Sequence, residues 1–183
     1  SNTGLALTDA DFNTAIGQQA LATDTLGSKS VAIGHGSLGA QNYTTATDSL
    51  NTAVGYNAGA AITTATHNTL VGSTAGLAIT TGNENVCIGQ QAGQAITEAT
   101  QNTVVGRNAL SAITTSVSNT AIGQGAGRLI TSGNSNTIIG RYNGNQDGLD
   151  IRADSNLIVL SDGDGTPGIV WDGGINTLIV NGY

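Results

Sequence analysis

Few side chains in this sequence are equipped for chemistry, and those few do not converge. Cys87 has the type of a nucleophile, but a thiol needs a neighbouring base or positive charge to ionise. The stretch Asn85-Val86-Cys87-Ile88-Gly89 supplies neither. Other copies of the same motif carry Ala, Leu, Val or Ile at that place, so Cys87 reads as a small buried apolar side chain. The two histidines, His35 just after a glycine and His67 in a turn, have no metal-ligand spacing and are expected to be solvated. Gly123-Gln124-Gly125-Ala126-Gly127 has the glycine density of a phosphate loop but not its Gly-Lys-Ser/Thr ending. Asp162-Gly163-Asp164-Gly165 offers carboxylates to a cation, yet the remaining acidic ligands of a Ca²⁺ loop are missing, and a plain turn is the simpler reading. The expectation is therefore a protein that is not an enzyme and carries no cofactor and no metal.

Composition excludes further classes. Among 183 residues there are 27 Gly, one Trp, one Phe and no Met, and only 9% are charged, so a core of large side chains is excluded. With 5 Lys+Arg against 12 Asp+Glu the net charge is −7, which argues against nucleic acid and against anionic lipid. The sequence contains no apolar run of about 20 residues, so no membrane insertion is expected.

What positions the remaining side chains is a repeat. Asn-Thr-x-(Ile/Val)-Gly recurs at Asn13, Asn51, Asn68, Asn102, Asn119 and Asn136, with variants beginning at Ser30 and Asn85. The closing glycines are Gly17, Gly34, Gly55, Gly72, Gly89, Gly106, Gly123 and Gly140, evenly spaced except for a four-residue insertion between Gly34 and Gly55. A second signature, Ala-Gly followed by Ala-Ile-Thr or Leu-Ile-Thr, occupies the rest of most periods. Short Val/Ile/Thr segments between Gly, Asn and Ser read as strands and turns. Two strands and two turns per period give an all-β parallel solenoid, or β-roll, with 17-residue coils. The Asn at the head of each motif reads as a rung in a ladder of amide hydrogen bonds.

Residues 1–140 form the expected shaft of about eight coils. Because Gly4 to Asn13 aligns without gaps on Gly93 to Asn102, the chain starts in mid-coil, as a fragment of a longer protein would. Residues 141–183 read as a C-terminal β module with longer loops. There Asn156-Leu157-Ile158-Val159-Leu160 and Asn176 to Val180 repeat the motif, with Asn136, Asn156 and Asn176 evenly spaced.

Both faces of the motif strand are apolar. The fourth position is always β-branched (Ile16, Ile33, Val54, Val71, Ile88, Val105, Ile122, Ile139) and is expected to look into the coil. The third (Ala15, Ala32, Ala53, Leu70, Cys87, Val104, Ala121, Ile138) must then face outward. An outward apolar stripe needs cover. Self-association about an axis along the rod covers it on every copy, so the expected partner is the chain itself, as an intertwined or side-by-side homotrimer, with a dimer as the second reading.

The Ser30 to Gly34 motif and its relatives at 13, 51 and 119 resemble the head repeat of trimeric autotransporter adhesins. Asn51 to Gly59 resembles repeats of bacteriophage tail-fibre proteins. The resemblance covers roughly residues 4 to 144, with a period longer than that of the typical adhesin head. It implies a left-handed β-roll, an obligate trimer and attachment to cell surfaces. Asn156 to Asp164 is similar to the segment that, in viral fibres, precedes a cleaved C-terminal chaperone.

Three functions follow as expectations: a tail fibre of a bacterial virus, displayed on the virion and binding a glycan or protein receptor on the host; a bacterial surface adhesin; or an ice-binding solenoid, suggested by the pairs Thr63-Thr64, Thr80-Thr81 and Thr114-Thr115. Recognition is expected where the repeat breaks. One break is the four-residue insertion, where Tyr43 in Asn42-Tyr43-Thr44-Thr45 would project. The other is the C-terminal module, with Asp162, Asp164, Trp171 and Tyr183.

Overall fold

The computed structural model describes residues 3–180. Each copy of the motif forms one three-residue strand: Thr14–Ile16, Val31–Ile33, Thr52–Val54, Thr69–Val71, Val86–Ile88, Thr103–Val105, Thr120–Ile122 and Thr137–Ile139. They stack in parallel with equivalent residues paired, as Leu70 with Cys87 and Cys87 with Val104, in a solenoid of about nine turns. The insertion does not disturb this register, because Val31–Ile33 pairs in step with Thr52–Val54. Its length is taken up by a side ladder of Gly27–Ser28 on Thr47–Asp48.

The second segment of each period departs from expectation. Ala-Ile-Thr does not form a strand; the non-motif part of the coil is a series of turns. Its amides still bond within and between coils, as in Ile62 N–H to Gly59 O (3.1 Å), Gly59 N–H to Ala75 O (3.0 Å) and Thr63 N–H to Thr80 O (3.0 Å). The isoleucines of this segment, Ile62, Ile79, Ile96, Ile113 and Ile130, are fully buried and stack as one wall of the core.

The strand faces are the reverse of the expectation. Third-position side chains point inward: Ala32, Ala53, Leu70, Cys87, Val104, Ala121 and Ile138 are all buried. The fourth position points out, with Ile16, Ile88, Ile122 and Ile139 between 39 and 58% exposed. The reason is volume. The coil is narrow, and opposite the third position lie glycines without room for a side chain: a Cβ on Gly76 would lie 2.7 Å from Leu70 Cδ2, and one on Gly93 2.7 Å from Cys87 Sγ. Burial accordingly pushes the Cys87 thiol up to about 12, the pKa of an inert packing group.

The Asn ladder forms as expected. Asn85 donates its backbone N–H (3.0 Å) and its Nδ2 (3.2 Å) to Asn68 Oδ1, while the same Nδ2 reaches Asn83 O and Ala99 O. The pattern repeats at Asn102, Asn119 and, for the backbone, Asn136. All these side chains are buried, and no buried side-chain polar atom among the described residues lacks a partner. The residue before each Asn takes a left-handed conformation, as His67 at φ 60° and Glu84 at 59°. The closing glycines are needed for a different reason. Gly89 has φ 129°, a conformation open to glycine alone, and a Cβ there would lie 2.7 Å from the carbonyl carbon of Gly106 in the next coil.

Beyond Gly140 the same sheet continues. Leu157–Ser161 adds in parallel to Thr137–Ile139, and Pro167–Asp172 and Thr177–Val180 follow antiparallel, making eleven strands. The register differs by one residue from the motif alignment. Ile138 pairs with Val159, so Leu157 takes the ladder place and its N–H donates to Asn136 Oδ1 (3.0 Å). Asn156, at φ 64°, repeats the role of Ser135 rather than that of Asn136.

Candidate functional site

The outward face of this sheet is an extended charge-free surface among the described residues. From Thr14 to Leu160 its second and fourth strand positions hold only Thr, Val, Ile and Leu, with no charge. Register then carries the fourth-position column on through Leu160, Ile169 and Val180, and the second-position column through Ile158, Trp171 and Leu178. Eleven strands at about 4.8 Å and three residues at about 3.3 Å give a strip roughly 50 Å long and 10 Å wide. The footprint is roughly 500 Å², with the fourth-position column wholly aliphatic and the second mostly Thr, and contiguous apolar surface of a few hundred Å² often marks an interaction site.

The residues expected to contact a receptor are dispersed. Tyr43 does not project. It is 5% exposed, its hydroxyl donates to Ala65 O and accepts from Asn51 Nδ2, and burial raises its pKa far above the usual tyrosine value. It folds inward because the ladder is interrupted there: Ser30 stands where an Asn would be. Gln41 fills the gap, donating to Ser30 Oγ (3.0 Å) and to the buried Asp24 carboxylate (2.6 Å), and accepting from Asn51 Nδ2 (2.9 Å). Asn42, Thr44 and Thr45 of the same insertion remain exposed.

Asp162 organises a turn. Its Oδ1 accepts the N–H groups of Asp164 (3.0 Å), Gly165 (2.8 Å) and Thr166 (2.9 Å), and these bonds, that of Thr166 foremost, hold its carboxyl below the usual range. Asp164 is exposed on the same turn, Trp171 is half-buried on the outward sheet face between Ile158 and Leu178, and Tyr183 lies outside the described residues. Of the candidates among the described residues, only Asp162 and Asp164 come together. Of the six threonines behind the ice-binding reading, two are engaged in stacking: the hydroxyls of Thr63 and Thr80 donate to the carbonyls of Thr80 and Thr97.

Sequence reasoning placed the wrong strand column on this surface. The usable signal was size: the third position admits Ala four times in eight, as a cramped interior requires, while the fourth is uniformly β-branched. Comparison with protein-family models, curated proteins and solved structures finds no match to the chain.

Proposed function

We propose that this chain is the shaft and tip of a homotrimeric attachment fibre of a bacterial virus, whose three copies meet along their outward sheet faces. The observation that carries the reading is the charge-free Ile/Val/Thr strip, continuous through eleven strands. A surface of that composition on so polar a chain is best satisfied by its own equivalent, because rotation about an axis parallel to the rod brings identical rungs to the same height. The antiparallel strands at the end of the sheet, with the exposed turn at Asp162, then form the tip at which a host receptor is met. The resemblance to tail-fibre and adhesin repeats supports the same reading. A bacterial surface adhesin built on the same physics is the second reading.

Two measurements test this. Light scattering of the purified chain should give about three times the mass of one chain; a single-chain mass overturns the assembly. Labelled protein should decorate host bacteria, and failure to bind any envelope preparation overturns attachment.

A further inference from the structure

The chain has five basic residues. Two are neutralised locally, Lys29 by Asp48 and Arg152 by Asp150 (2.7 Å). The other three, Arg107, Arg128 and Arg141, form no ion pair among the described residues, and all three line one depression of about 300 Å³. Arg107 and Arg141 each follow a motif glycine and lie two coils apart, about 10 Å along the rod. Between them sits Gln124, not a carboxylate, in a chain whose acids outnumber its bases by 12 to 5. The lining holds these three guanidinium groups against one carboxylate, Asp164, so the depression carries an excess of positive charge that an anion seated there would meet.

The depression is built by the repeat. Its floor is Gly125, whose place in most other coils is held by a side chain, Gln19, Asn57, Thr74, Gln91 or Asn108, all with φ between 51 and 63°. The conformation therefore does not demand glycine there, and what Gly125 provides is the missing side chain. The far wall is fixed by Gln146, which donates to Asp164 O (3.0 Å) and accepts from Asn143 Nδ2 (3.3 Å). Amides beside guanidinium groups, with no aromatic or aliphatic wall, suit a ligand bearing hydroxyls and one anionic group. Guanidinium pairs bidentately with carboxylate and phosphate alike, and the volume is at the small end of ligand clefts.

We propose that this depression binds the anionic group of an acidic saccharide, a sugar carboxylate or a sugar phosphate. The source of that saccharide, a cell envelope, rests on the attachment reading; the site itself does not.

The test is titration of the intact chain, followed by amide NMR, with glucuronate, glucose 6-phosphate, glucose and inorganic phosphate. Saturable shifts at Gly125 and Arg141 with one or both anionic sugars, and none with glucose, are expected; binding of one alone identifies carboxylate or phosphate as the source, and binding of both means that the site takes either. Arg107→Gln with Arg141→Gln should weaken binding about tenfold or more. Gly125→Asn should abolish it without unfolding the chain, because a Cβ there meets only Arg128 Cδ at 3.4 Å. Asp164→Asn, which removes the one acid of the lining, should tighten it. Equal binding of glucose, inorganic phosphate binding as tightly as either sugar, full binding by Gly125→Asn, or loss of self-association in the double arginine variant each overturns the proposal. Light scattering on the same samples separates the two readings: a single chain that binds the sugars removes the fibre, and a trimer that ignores them removes the site.

Discussion

The two faces of the motif strand carry similar residues in opposite surroundings. Inward lie Leu70, Cys87 and Val104, fully buried against glycines and the Ile62 to Ile130 wall; one residue along, Val71, Ile88 and Val105 look outward. Hydrophobicity does not distinguish these columns. What does is how much volume each site admits and whether water remains on it, so substitutions that are equal on paper should act at different levels.

The largest difference is expected from one charge moved by one residue. Val104→Asp places an unpaired carboxylate in the core and should cost several kcal/mol, enough to abolish the cooperative melt. Val105→Asp should leave a folded single chain by circular dichroism while removing self-association in sedimentation; if it unfolds the chain, the faces are not as different as described. Next in size is the ladder. Asn102→Leu orphans the Asn119 N–H and the Ser116 carbonyl, at about 1–3 kcal/mol for each buried group, and should lower the denaturation midpoint more than Gln101→Leu, one residue away on the surface. A smaller, sharper contrast uses thiols. Native Cys87 should stay unreactive to iodoacetamide for as long as the protein stays folded, since it is buried and protonated. A thiol introduced by Ile88→Cys should react in a single chain and be shielded on assembly.

The smallest effect concerns acid. The folded-state pKa of Asp162 is depressed, so its contribution to the turn is complete above the ordinary carboxylate value of about 3.9 and is lost as pH falls through the depressed one. The amide signals of Gly165 and Thr166 should therefore move only below that ordinary value. Movement near neutrality would mean that the carboxylate does not hold the turn.

The solenoid and its Asn ladder were legible because a repeat is one-dimensional: a constant period forces equivalent residues to meet, whatever the coil's shape. The faces were not, since alternation divides a strand into two sides without saying which is inside when both are apolar. Tyr43 was misplaced for a related reason. Its neighbours in sequence are polar, and its burial depends on Ser30, well upstream in the chain, leaving a rung for Gln41 to complete. Arg107 and Arg141 share one column two whole periods apart, but the sequence offers no signal that Arg128 joins them or that Gly125 opens space beneath, because both depend on the coil's actual path. Of the residues expected at a recognition site, Asp162 and Asp164 share a turn, and Asp164 borders the arginine depression.

Because successive coils are joined by bonds lying along the rod, as Thr69 N–H to Asn85 O and Gly72 N–H to Val54 O, a pull on the two chain ends does not load the whole sheet at once. It peels one coil at a time. Releasing a 17-residue coil exchanges about 4.8 Å of rod for up to about 60 Å of extended chain. A single molecule stretched between a bead and a surface should yield in regular steps of about 50 Å, one per coil, so that it dissipates a sudden load in instalments.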